Sequence, residues 1–158
     1  MSENEKLYMT YLERLRLKLI KKYDELELRA SGKYEDELEV QVKGNTLTMW
    51  GAYHSIFMES GRGSGGFPPR KAIEDWIETK DGLPPIFKEK KRQFAFIIAR
   101  KIAEEGITVP NEYNKGKVVS EVLEEFLAND IYEMLDELGL IWTRRITSDI
   151  KQIFKQAA

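Results

Sequence analysis

The segment that most resembles a chemical site is a glycine-rich loop, residues 60–69 (SGRGSGGFPP), in which four glycines fall within six residues. Loops of this composition can turn backbone N–H groups toward a phosphate. A phosphate-binding loop also needs a Lys followed by Ser or Thr after its last glycine. Here Phe67, Pro68 and Pro69 follow instead, and the prolines have no N–H to donate. The loop is therefore a poor nucleotide site.

The other groups with catalytic chemistry are one histidine and two carboxylate pairs. No local motif places a Ser, Cys or acidic partner beside His54. Glu104–Glu105 and Glu124–Glu125 are adjacent on predicted helices, where neighbours do not face each other. The chain contains no cysteine, which excludes disulfides, thiolate metal ligands and cysteine nucleophiles. We expect a protein that is not an enzyme and needs no cofactor or metal.

Charge is segregated along the chain, although its 158 residues sum to a formal charge of −2. Six basic residues and one glutamate give residues 88–101 a local charge of +5, and seven acidic residues and one lysine give residues 117–138 a charge of −6. Two solvated faces of one monomer explain this pattern, and so does a contact between the basic face of one subunit and the acidic face of the next. The basic cluster is Lys88, Lys90, Lys91, Arg92, Arg100 and Lys101; the acidic cluster is Glu121, Glu124, Glu125, Glu133, Asp136 and Glu137.

The elements that would position these groups begin with a helix and a hairpin. Apolar residues at three- and four-residue steps predict a helix over residues 3–27, with Ser2 as its N-cap. Alternating residues 37–43 and 46–50, joined at Gly44-Asn45, predict a β-hairpin. Alternation over residues 52–59 predicts one further strand, although this stretch also suits a short helix.

Helices dominate the rest of the predicted structure. Residues 70–79 and 88–105 have helical periodicity, with Gly106 as the C-cap of the second. We expect their apolar residues in the core: Ile73, Trp76, Ile77, Phe94, Ile98 and Ile102. An alanine row, Ala95, Ala99 and Ala103, would let a neighbouring element approach closely.

A polar linker with Pro110 and Gly116, residues 108–116, separates this part from a helical tail. The tail has two helical stretches, 117–138 and 141–154, and Gly139 is expected to break it. We predict an α+β fold. A domain over residues 1–107 packs a small antiparallel sheet with helices, and a helical C-terminal arm covers residues 117–158.

Four segments carry a family resemblance: residues 53–61 (YHSIFMESG), 62–69 (RGSGGFPP), 73–77 (IEDWI) and 94–106 (FAFIIARKIAEEG). They resemble the head–tail connector and tail-completion proteins of tailed bacteriophages. That family shows an acidic residue and Gly before a Gly/Pro loop, a short Trp-containing helix, and an Ala/Ile-rich helix that ends in Gly. The resemblance covers about residues 47–107, and the helical tail departs from the shortest members.

The resemblance implies a non-enzymatic ring subunit of the virion neck, assembled in the host cytoplasm. It would form a homo-oligomeric ring that joins the portal protein to other neck or tail proteins, near DNA in the channel. In that setting residues 61–69 are a contact loop, and the two charged clusters are interfaces between subunits. The contact loop comprises Gly61, Arg62, Gly63, Ser64, Gly65, Gly66, Phe67, Pro68 and Pro69.

Two alternatives remain open from the residues alone. A small DNA-binding or regulatory protein would use the basic helix over residues 88–101, although no recognition motif accompanies it. An unrecognised enzyme has the least support, since no nucleophile, metal set or phosphate cradle is visible. The apolar runs are only a few residues long, far below the ~20 that a membrane span needs, so no membrane partner is expected.

Overall fold

The computed structural model describes residues 1–28, 33–51, 53 and 55–157, and it confirms the α+β class. Two antiparallel strands and a set of helices form the fold, with helix as the main component. The elements in chain order are α1 (Glu3–Glu25), α2 (Lys33–Asp36), β1 (Glu39–Lys43), β2 (Thr46–Trp50), α3 (Ser55–Ser60), α4 (Arg70–Thr79), α5 (Pro85–Glu89), α6 (Lys91–Glu105), α7 (Ser120–Ala128) and α8 (Asp130–Ala157).

Helix α1 begins with the predicted cap. Ser2 Oγ accepts a hydrogen bond from the Glu5 N–H at 3.2 Å, and Glu5 Oε2 accepts one from the Ser2 N–H at 2.7 Å. Both N–H groups lie at the helix start, where the helix itself offers them no acceptor, and the two side chains supply one to each. Glu5 Oε1 also accepts the Gly44 N–H at 3.1 Å. These hydrogen bonds hold the pKa of Glu5 below its usual value, with the Ser2 backbone bond as the largest cause. One carboxylate therefore ties the hairpin turn to the start of α1.

The predicted hairpin is confirmed. Glu39 pairs with Trp50 and Lys43 with Thr46, which leaves Gly44-Asn45 as a two-residue turn. Gly44 has φ +60°, the left-handed conformation that such turns need.

The core is built around α1, which contacts the hairpin, α7 and α8. Tyr11 lies at its centre with 1% of its surface exposed, and Tyr23 stacks on Tyr34 with ring centroids 4.3 Å apart. Buried side chains of α7 and α8 join the same core, so the hairpin and the C-terminal helices both pack on α1. The buried core residues are Leu7, Tyr8, Tyr11, Leu12, Leu15, Leu19, Ile20, Tyr23, Tyr34, Leu38, Val118, Val122, Phe126, Met134 and Ile141.

Helices α4, α5 and α6 form a second, smaller packing group. Ile77, Ala95 and Ala99 are fully buried where α4 packs on α6, as the predicted alanine row requires. The other residues predicted for the core differ. Trp76 is 40% exposed, because the group is too small to enclose both faces of α4, and Ile73, Phe94, Ile98 and Ile102 are half-buried.

Three predicted boundaries are corrected by the structure. The further strand over residues 52–59 is wrong, and the short helix that the same stretch also suited is present: residues 55–60 form α3, whose backbone groups bond locally, with Gly61 N–H donating to Phe57 O at 2.9 Å. The helix predicted over residues 88–105 is divided at Lys90. Gly139 does not break the tail, because Met134 and Ile141 are buried on either side of it, and the break falls at Asn129 instead.

The C-terminal helices are therefore only partly an arm. Helix α7 and the first part of α8 pack on α1, whereas every residue from Ile146 to Ala157 is exposed. The domain boundary near residue 107 stays a prediction. None of the helices in the described ranges combines the length and the apolar character that crossing a membrane requires.

Candidate functional site

The base of the contact loop is a rigid join between two parts of the chain. Arg62 and Ile107 exchange backbone hydrogen bonds of 2.8 and 2.6 Å across an antiparallel bridge. Gly61 (φ +78°) and Gly106 (φ +76°) flank this bridge, and a Cβ on either would lie 2.2 or 2.3 Å from a carbonyl oxygen of the other strand. The glycines at the base are thus required by the fold itself.

In the outer part of the contact loop, residues 63–66, hydrogen bonds to backbone groups fix the conformation, and the surface is open to solvent. Gly65 N–H donates to Ala103 O at 2.8 Å, and the Arg62 guanidinium donates to Gly66 O at 2.6 Å. A Cβ on Gly63, Gly65 or Gly66 would meet no described atom within 4 Å. The loop is therefore ordered without a partner, and its outer face is free to receive one.

Residues 61–66 also match Gly-x-Gly-x-x-Gly, the spacing of the dinucleotide fingerprint. The fingerprint requires a strand before the first glycine and a helix directly after the last. In this chain α3 precedes the loop, and three residues with two prolines separate it from α4. The structural context of dinucleotide binding is therefore not met.

The end of the loop borders an apolar recess. Phe67 is 55% exposed and stacks on Phe96, with ring centroids 6.1 Å apart. The recess has a volume of about 350 Å³. Its lining is almost wholly apolar, and we call it the loop recess: Phe57, Arg62, Phe67, Pro68, Pro69, Ile102 and Ile107.

The basic cluster is partly paired within its own region. Lys91 Nζ lies 2.8 Å from Glu78, and Arg100 and Lys101 pair with glutamates one turn along α6 at 3.0 and 3.9 Å. Lys88, Lys90 and Arg92 are exposed and have no ion-pair partner among the described residues. They help to line a shallow depression of about 310 Å³. The unpaired positive charge of the basic cluster is therefore concentrated around α5 and the start of α6.

Most of the acidic cluster is paired with α1. Lys22 Nζ lies 2.6 Å from Glu121, and Lys18 Nζ lies 2.8 Å from Glu125. Arg14 bonds to Glu133, and the Tyr11 hydroxyl donates to Glu137 Oε1 at 2.8 Å. Burial first, and then the hydrogen bond to Glu137, raises the pKa of Tyr11 to about 12. Glu124 and Asp136 have no ion-pair partner in the described ranges.

Two acidic residues outside the predicted clusters, Asp130 and Glu59, connect α1 to α8 and the end of α3 to the start of α7. Asp130 is buried between α1 and α8, 3.2 Å from Arg14 and 2.7 Å from Lys18. Glu59 accepts the Val119 and Ser120 N–H groups at 2.9 and 3.3 Å, where α7 begins. In both, burial raises the pKa but hydrogen bonds outweigh it, and the pKa stays below its ordinary value. No sequence signal indicated either role, because the predicted helix over residues 117–138 placed Asp130 in its interior, and the start of α8 at Asp130 is seen only in the structure.

One apolar face of α8 has no partner among the described residues, which the helical periodicity of the tail could not show. Leu140, Trp142, Ile146, Ile150, Ile153 and Phe154 are between 48% and 72% exposed. A monomer rarely leaves so many large apolar side chains contiguous and unburied. This face and the loop recess are two apolar surfaces in the described ranges that are open to partners.

The described residues contain no group of three side chains placed to bind a metal ion. His54 lies outside the described residues, so its predicted lack of a catalytic partner stays a prediction. Comparisons of the chain with family models, with curated proteins and with solved structures find no match.

Proposed function

We propose that this protein is a non-enzymatic structural subunit of a bacteriophage neck, a ring-forming connector or tail-completion protein. The observation that carries the proposal is the pair of separate apolar surfaces, one on α8 and one at the loop recess. A subunit that joins neighbours on two sides needs two such surfaces, whereas a monomer would hide them.

The loop recess supplies the features of a protein-binding surface. Phe67 and Phe96 present aromatic rings, the group most enriched at interface centres. The backbone of the loop is already fixed by its hydrogen bonds to Ala103 O and Ile107. Binding there costs little ordering entropy, which favours a contact with a rigid neighbour.

The free charges suit a head-to-tail contact in a ring. Lys88, Lys90 and Arg92 face solvent on one part of the molecule, and Glu124 and Asp136 on another. Within the two clusters, these five charges are the ones with no ion-pair or hydrogen-bond partner among the described residues, so they are the ones a neighbouring subunit could pair with. The phage setting, with a portal partner and location in the virion, comes from the resemblance over residues 47–107 alone.

Reconstitution with the portal protein from the genome that encodes this chain tests the proposal. Phe67→Asp should abolish co-sedimentation with portal rings, whereas Tyr113→Asp, at an aromatic that is 81% exposed elsewhere, should leave it unchanged. Both variants should keep the wild-type circular dichroism spectrum. Failure of the wild-type protein to bind any portal, neck or tail component would contradict the proposal.

A DNA-binding function is favoured by one observation, the three unpaired cations around α5 and α6. In that case Lys88→Glu, Lys90→Glu and Arg92→Glu together should abolish a salt-sensitive gel shift. Arg100→Glu with Lys101→Glu is the matched control, since these side chains are already paired with Glu104 and Glu105. No shift of the wild-type protein at low salt would eliminate this alternative.

A further inference from the structure

An apolar stripe runs along the outer side of α8 for nearly its whole length. Its members recur at steps of three and four residues and are between 48% and 64% exposed. It lies about a third of a turn away from Met134 and Ile141, which are buried toward α1. We call it the outer stripe: Tyr132, Leu135, Trp142, Ile146, Ile150 and Ile153, with Gly139 between Leu135 and Trp142.

The last part of α8 has no support from its own chain. Residues from Ile146 to Ala157 are all exposed, a stretch of about 18 Å at 1.5 Å per residue. An isolated helix of this length is marginal in water even with good helix formers. The stripe along it therefore favours a helix-sized partner.

The charges along α8 favour one orientation of a partner helix. Residues 130–137 contain four acidic residues and no basic one, and residues 144–155 contain four basic residues and one acidic residue. Asp136 at the acidic end, and Lys151 and Lys155 at the basic end, have no ion-pair partner in the part of the chain described. The other acidic residues of the acidic end are bonded to α1, and Arg144 and Arg145 pair with Glu3, so these three charges are left for a partner. A second α8 in parallel would set these like charges side by side, whereas an antiparallel one brings the acidic end of each helix toward the basic end of the other.

We propose that α8 pairs with α8 of a second copy of this chain, antiparallel about a two-fold axis between Gly139 and Trp142. Gly139 is the natural crossing point, because a Cβ there would meet no described atom within 4 Å and its absence lets another helix approach closely. The Trp142 ring of each copy covers Gly139 of the other. This register sets Leu135 opposite Ile146 and Tyr132 opposite Ile150.

The surface available is sufficient for a stable pair. Six large, half-exposed side chains offer roughly 650 Å² on each copy, or about 1,300 Å² in the pair, above the ~1,000 Å² that a specific interface needs. The pairing does not rest on the proposed neck function. It occupies the outer stripe, which is part of one of the two apolar surfaces behind the neck proposal, and it leaves the loop recess free for portal or tail proteins.

Sedimentation equilibrium with charge variants tests the pairing. The wild-type chain should be a dimer, and Ile146→Asp should raise its dissociation constant at least ~100-fold, because each dimer would bury the charge twice. Ser148→Asp adds the same charge on the opposite, exposed side of α8 and should leave the dimer intact. Both residues are exposed, so the monomer should stay folded, which circular dichroism checks.

Single cysteines test the orientation without interference, since the chain has none of its own. In the proposed register, a mixture of Leu135→Cys and Ile146→Cys should form a disulfide between unlike chains under mild oxidation. Each variant alone should not, because two copies of the same cysteine lie about 16 Å apart along the axis, beyond disulfide reach. Cross-linking of each variant with itself would indicate a parallel pair and overturn the proposal.

The two proposals can fail separately. A monomeric wild-type chain, or an oligomer that Ile146→Asp does not affect, overturns the α8 pair, even if the protein still binds portal rings through Phe67. A dimer that cross-links as expected but binds no neck component supports the α8 pair and contradicts the neck function.

Discussion

At the scale of single residues, Asp130 is the most constrained charge. Its side chain is 7% exposed and accepts hydrogen bonds from Arg14 and Lys18, one turn apart on α1. It is also the first residue of α8, where a negative charge interacts favourably with the helix dipole. One carboxylate thus fixes where the C-terminal helix meets the N-terminal one.

We expect Asp130→Asn to lower the free energy of unfolding by about 2 kcal/mol. Arg14 and Lys18 keep Glu133 and Glu125 as partners, so the loss should stay below that of an isolated buried ion pair. Urea denaturation followed by circular dichroism measures it. Asp136→Asn, at an exposed residue, is the control and should change stability by less than about 0.5 kcal/mol.

The same carboxylate should make stability depend on pH. Its pKa in the folded protein is below the ordinary value of 3.8, so its contribution is complete above the unfolded pKa and is lost as pH falls through the folded pKa. The stability difference between wild type and Asp130→Asn should therefore be constant near neutral pH and shrink below about pH 4. A difference that is unchanged down to pH 3 would contradict this assignment.

At the scale of elements, the bridge between Arg62 and Ile107 connects the loop recess to the end of α6. Both flanking glycines have positive φ, and neither has room for a Cβ. The bridge positions Phe67 over α6, so the recess depends on two backbone positions that never touch a partner. The base of the contact loop therefore has a structural role, and its outer part forms the exposed surface.

Gly106→Ala should lower the free energy of unfolding by at least ~2 kcal/mol, because it combines an unfavourable φ with a Cβ placed 2.3 Å from Arg62 O. Gly63→Ala is the matched control, as its φ is not positive and its Cβ would meet no described atom within 4 Å. It should leave the thermal midpoint nearly unchanged. Equal losses in both variants would show that the strain lies elsewhere in the loop.

At the scale of the whole molecule, the two charged clusters have different roles. The acidic cluster mostly holds α7 and α8 against α1, whereas part of the basic cluster remains free. The net charge near zero therefore conceals two different uses of charge. The acidic cluster binds α1 within the molecule, and part of the basic cluster stays available at the surface. The C-terminal part of α8 contributes to neither cluster. It extends beyond the core from Ile146 onward, and the outer stripe continues along it to Ile153.

Truncation of the chain after Arg145 should leave the core folded, because every removed residue that the structure describes is exposed. Measured at concentrations where the full chain is monomeric, the free energy of unfolding should change by less than about 0.5 kcal/mol. Truncation before Lys117 is the contrasting variant. It removes Val118, Val122, Phe126, Met134 and Ile141 from the core and should not give a cooperatively folded protein.

Local elements were predictable from the sequence to the extent that local chemistry determines them. The Ser2 cap, the Gly44-Asn45 turn, the bounds of α4 and the Gly106 C-cap each follow from residues within a few positions. Residues 55–60 suited both a strand and a short helix, because six residues with mixed alternation satisfy both periods, and local chemistry alone did not decide between them. The helix through Gly139 was not recognised, because its support comes from α1, more than a hundred residues away.

The sequence by itself determined the α+β class, the segregation of charge and the rigid turns, since these depend on residue type and short-range spacing. Only the tertiary structure decided which charges are used internally. It set Arg14, Lys18 and Lys22 of α1 against the acidic cluster, and it buried one side of α8 while leaving the outer stripe exposed. Helical periodicity shows that a face is apolar, but which apolar face is covered depends on what the rest of the chain places beside it.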